Sequence, residues 1–94
     1  MANFELMEFR EPAFEPGETF PGTQEQQLGV FEVEADAVAA GRDAWQAFRD
    51  SGSNDVAWWI VRVPGESLAR WLADSASAHE KVLDLTTNEL VEIE

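Results

Sequence analysis

Residues 55–63 read DVAWWIVRV, and no other stretch restricts the fold so tightly. The six apolar residues from Val56 to Val61 are far too few to span a bilayer, but their β-branched and aromatic content suits a strand. Side chains alternate across a strand, so Val56, Trp58 and Ile60 point one way and Ala57, Trp59, Val61 and Val63 the other. Both sets are apolar, which is the pattern of a central strand covered on two sides. The rest of the chain therefore has two covers to supply.

One cover is evident. Across residues 37–50, Ala37, Val38, Ala40, Gly41, Ala44, Trp45 and Phe48 fall on one helical face, and Ala39, Arg42, Asp43, Gln46, Arg49 and Asp50 on the other. Asp36 stands where an N-cap belongs, and Gly52 where a left-handed C-terminal residue ends the helix. Gly41 on the apolar face lowers helix propensity by up to ~1 kcal/mol relative to Ala, a loss that close approach to a sheet would offset. A second cover has three candidates. A short helix over residues 67–74 is expected from the i, i+3, i+4 stripe of Leu68, Trp71 and Leu72; the others are a Phe-bearing loop and a partner subunit.

Residues 3–9 and 27–34 read as strands, and residues 81–86 and 89–94 as a hairpin about Thr87 and Asn88. The expected order is ββαβαββ: a single α+β domain over residues 1–94, a small two-layer α/β sandwich of ferredoxin-like character. Three of the four prolines lie in residues 11–24, which places an acidic Pro/Gly-rich loop at about 11–25. Phe14 and Phe20 within it either pin the loop to the core or form part of a docking surface.

Charge bounds the partners. The 94 residues hold 19 Asp and Glu against 6 Lys and Arg, a formal net charge of −13. Such a chain does not grip a phosphate backbone or an anionic membrane, so neither nucleic acid nor membrane is an expected direct partner. Residues 1–34 hold eight Glu and one Arg, a local charge of −7; the remaining residues carry mixed signs and −6. With 45% hydrophobic residues the chain has the means to fold despite this charge. It contains no Cys, which excludes disulfides and thiolate chemistry, and its N-terminus lacks the pattern of a signal peptide; a cytoplasmic location is the expectation.

No catalytic signature is present. His79, the one histidine, has no marked partners, and there is no nucleophile elbow, P-loop or dinucleotide fingerprint. Residues 50–55 look superficially like a calcium loop but lack its alternating ligands and closing Glu; they read as a helix stop and a turn. The reading is non-enzymatic, with no cofactor and no metal. The four tryptophans are more telling, because so small a domain has little room for four buried indoles and Trp is enriched at binding hot spots.

Residues 28–61 resemble the small non-catalytic B subunit of phenylacetyl-CoA oxygenases. Gly29, Ala35, Asp36, Arg42, Asp43, Arg49 and Trp59 stand at comparable places. The resemblance covers about a third of the chain and implies a strand–helix–strand unit and an accessory role.

Two functions follow as expectations. One is a small acidic protein-interaction domain that binds a basic partner surface, with an inhibitor or nucleic-acid mimic as its sharpest form. The other is a structural or accessory subunit, a homo-oligomer or part of a larger complex, assembled through Trp-bearing faces. The residues expected to carry partner contacts are Glu11, Phe14, Glu15, Glu18, Phe20, Trp59 and Trp71.

Overall fold

A computed structural model describes residues 3–66, 68–76 and 79–93. Strand β1 (Phe4–Glu11) is followed by β2 (Gln24–Phe31), helix α1 (Glu34–Ser51), β3 (Val56–Arg62), β4 (Ala69–Asp74), β5 (Lys81–Asp84) and β6 (Glu89–Glu92). The six strands form one antiparallel sheet in the order β2-β1-β3-β4-β5-β6. Since β2 and β3 both run antiparallel to β1, they are parallel to each other, and α1 is the crossover that carries the chain over β1. The product is a slab of 46 × 28 × 24 Å with one helix among the described residues, on one face of the sheet.

That architecture corrects the expected ferredoxin-like ββαβαββ sandwich with two helices. The segment read as a short helix over residues 67–74 is β4 from Ala69 onward, while residue 67 lies outside the described part. Leu68, Trp71 and Leu72 satisfy a helical stripe, but an isolated helix of eight residues is marginal, and Trp71 and Ala73 satisfy a two-residue period equally well. Pairing with β3 decides between them. It sets Trp71 opposite Val61 and Ala73 opposite Trp59, all buried.

The helix follows its apolar pattern closely. Ala37, Gly41, Trp45 and Phe48 are buried against the sheet, and Val38, Ala40 and Ala44 are half-buried beside them. A Cβ on Gly41 would stand 2.5 Å from Cζ3 of Trp71, so glycine is what lets the helix axis come this close. Gly52 ends the helix in the left-handed conformation, φ 68°, with its N–H donating to the Arg49 carbonyl. The start differs from expectation. Val33 occupies the N-cap position without a side-chain cap, and Asp36 lies inside the first turn, where with Glu34 it complements the helix dipole. β2 also begins earlier than expected, at Gln24, and leaves Leu28 exposed at the bulge between its two registers with β1.

The core lies between α1 and the sheet. Leu6, Ala57, Trp59, Val61, Trp71 and Ala73 form its floor. Three indoles enter it, and each has its N–H satisfied at the rim. Trp45 donates to the Asp74 carbonyl at 2.9 Å, Trp59 to Glu8 at 3.0 Å and Trp71 to Glu80 at 3.2 Å. Arg42 clamps the same Glu80 carboxylate from the helix through two nitrogens, its Nε 3.0 Å from either oxygen.

Candidate functional site

Among the described residues, only one face of β3 is covered by a second element. Residues directly opposite in an antiparallel ladder project to the same side, so the register identifies the uncovered face row by row. Its central rows are Met7, Ile60 and Leu72, then Phe9, Trp58 and Asp74, then Glu11 and Val56. Phe9 and Trp58 stack with centroids 5.5 Å apart and planes inclined by 9°. Met7 is buried, Trp58, Ile60 and Leu72 are half-buried and Val56 is half-exposed, so water reaches the apolar band where β3 and β4 carry it. The second cover expected from a 67–74 helix is missing because that segment is spent extending the sheet.

At the Val56 end the band opens into a groove of about 290 Å³ lined by Val56, Trp58, Leu72, Asp74, Ser75 and Ala76. Val56 also borders a depression of about 230 Å³ that holds Glu11, Phe14, Phe20 and Asn54. Phe14 and Asn54 continue into a larger one of about 500 Å³ beside Glu15 and Glu18. The loop over residues 12–23 makes this border. A turn from Glu15 to Glu18 folds it back, the Ala13 N–H donates to Asp55 at 2.8 Å, and Phe14 and Phe20 meet edge to face at 5.6 Å. The two phenylalanines remain 49% and 47% exposed, so they rest on each other rather than in the core.

The sheet thus brings together five of the residues expected from sequence, Glu11, Phe14, Glu15, Glu18 and Phe20, and separates the other two. Trp59 and Trp71 are 0% exposed beneath the helix, and their burial corrects the expectation that they meet a partner. Trp58, Val56, Leu72 and Asp74 lie on the open face instead. The alternation of residues 55–63 already put Trp58 and Trp59 on opposite faces; which face stays open depends on the number of helices.

Charge on the open face is sorted by position. Arg62 donates to Glu5 at 2.6 Å, Arg70 pairs with Glu66 at 3.0 Å, and Lys81 stands opposite Glu92. The Arg62 hydrogen bond holds the Glu5 carboxyl below the usual range against the opposing effect of burial, with Gln27 adding a second donor. Around the groove and loop, by contrast, Glu11, Glu15, Glu18 and Asp74 have no basic partner among the described residues.

His79 is exposed ahead of β5. Among the described residues no three His, Asp or Glu side chains are grouped to hold a metal ion, and no helix is long and apolar enough to cross a membrane. No family model, curated protein or solved structure matches the chain, so nothing beyond the strand–helix–strand unit itself supports the resemblance to the oxygenase B subunit.

Proposed function

We propose that this chain is a small acidic protein-interaction domain without a catalytic role, and that it engages a basic partner surface through the uncovered face of its sheet. The observation that carries this reading is the apolar band around Phe9 and Trp58, with unpaired carboxylates at one end and self-paired charges at the other. Complementary charge accelerates encounter and rejects acidic partners, while apolar anchors hold the complex once formed. The nucleic-acid mimic is a narrower form of the same reading. A phosphate-like array needs no apolar floor, so the geometry favours protein contact with apolar anchors over pure mimicry. The accessory-subunit alternative keeps support from Trp58, the one indole on the open face.

Capture on the immobilised domain at ~50 and ~500 mM salt tests the proposal. The expected result is a set of basic proteins that are released at high salt and lost from a Glu11→Lys, Glu15→Lys, Glu18→Lys variant. Partners that are acidic, or that bind the variant equally well, would refute it. A mimic would in addition be displaced from its partner by duplex DNA.

A further inference from the structure

The groove at Val56, Trp58 and Leu72 has the form of a receptor for one element of secondary structure. We infer that it receives a large apolar side chain from an amphipathic basic helix of a partner protein, whose neighbouring Lys or Arg residues meet Glu11 and Asp74. This rests on the acidic-interaction reading and names the partner's form and contact point.

Apolar side chains of Val56, Trp58, Leu72 and Ala76 make most of the groove wall, and its volume of about 290 Å³ is at or below the lower limit for small-molecule pockets, which suits one or two side chains. The wall is preformed, since Trp58 is stacked on Phe9 and both belong to paired central strands. Pre-organisation of this kind reduces the entropy lost on binding.

Strand addition is closed to the partner at this point. β3 is paired with β1 on one side and β4 on the other, so its backbone groups are committed to the ladder. A partner lying on the face has to satisfy its own backbone, and a helix does so; α1 covers the opposite face of the same sheet in the same way. Trp58 also differs from the other three indoles. Theirs donate to Asp74, Glu8 and Glu80, whereas the Trp58 N–H has no acceptor among the described residues and is left to donate to the incoming chain.

Charge selects the sign of that partner and disfavours a second copy of this chain. Among the described residues, the carboxylates bordering the groove that lack a basic partner are Glu11 and Asp74, the latter accepting only the Ala76 N–H, followed by Glu15 and Glu18 on the loop. Docking two copies face to face would bring together molecules that each carry −13, and that repulsion opposes self-association.

The test uses two synthetic peptides of 18 residues with the same number of Leu and Lys. In one the Leu residues form a single helical stripe, and in the other they are dispersed around the helix. Each is titrated into 15N-labelled protein at ~100 mM salt. The striped peptide is expected to bind at least tenfold more tightly, to become helical by circular dichroism, and to shift the Val56, Leu72 and Asp74 amides and the Trp58 indole resonance. Trp58→Ala and Leu72→Asp should each weaken it at least tenfold while leaving the remaining amide spectrum folded. Equal affinity for the two peptides, or shifts confined to the α1 side, overturns the groove proposal while salt-sensitive binding still upholds the acidic-surface reading. If neither peptide binds, both fall.

Discussion

Replacing Gly41 with alanine sets two effects of known sign against each other. Alanine improves helix propensity by up to ~1 kcal/mol, and at an exposed position it would stabilise the protein by about that much. At Gly41 the added Cβ would lie 2.5 Å from Cζ3 and 2.9 Å from Cη2 of Trp71, and 3.2 Å from a methyl of Leu6. The indole has little room to retreat. It is 0% exposed, lies opposite Val61, and is tied through its N–H to Glu80, which Arg42 in turn clamps. Overpacking of a core costs ~1–3 kcal/mol, and a rigid ring as the obstacle places this case in the upper part of that range. The net expectation is a loss of ~1–2 kcal/mol, a fall in Tm of roughly 4–8 °C for each kcal/mol in a domain of this size. Urea and thermal unfolding followed by far-UV circular dichroism measure it. The benzo ring of Trp71 is the obstacle, so Trp71→Phe should relieve the strain, and a double-mutant cycle should return a favourable coupling of ~1 kcal/mol or more. A Gly41→Ala variant more stable than the wild type would refute the reasoning.

The tryptophans separate in the same assay: Trp71→Ala or Trp59→Ala should lose ~3–5 kcal/mol, enough to threaten folding, and half-buried Trp58→Ala markedly less. Acid should expose the clamp on Glu80, whose carboxyl is held low chiefly by the Arg42 hydrogen bond, with Trp71 adding to it and burial opposing. A depressed carboxyl contributes stability above its unfolded value of 4.5 and loses that contribution as the pH falls through the lower folded value. Arg42→Met should therefore cost ~0.5–1 kcal/mol at pH 7 and markedly less at about pH 3, read as the difference in urea midpoint from wild type at each pH. Raising salt from ~20 to ~500 mM should increase Tm, because a molecule carrying −13 is strained by its own repulsion; a flat or falling Tm would show that the charges are already balanced locally.

What could be read from residues alone was the part governed by near neighbours in the chain. The helix face from Ala37 to Phe48 was legible because a 3.6-residue period needs no knowledge of the partner surface, and Gly52 because only the local backbone asks for a left-handed residue. The close approach at Gly41 was legible too, since a glycine on an apolar helix face gives up both propensity and buried area, and a near neighbour offsets that loss. Asp36 misled because a good capping residue does not fix the first turn when the preceding strand and its bulge set where the chain turns. Residues 68–74 misled for a different reason. Their pattern fits both periods, and even the Glu66–Arg70 ion pair at i, i+4 spacing forms here between a turn and a strand.

For residues 55–63, residue order alone determined that both faces are apolar and that Trp58 and Trp59 part company. It could not determine which face would be buried, because a strand's alternation is symmetric and the cover comes from elsewhere in the chain. Tertiary structure broke that symmetry. With Ala69–Asp74 joining the sheet as β4, α1 was left as the only cover among the described residues, sealing Trp59 and Trp71 and leaving Trp58 beside the carboxylates of the loop. The acidic loop and the apolar groove lie more than thirty residues apart in the chain, and the pairing of β1 with β3 is what makes them one surface.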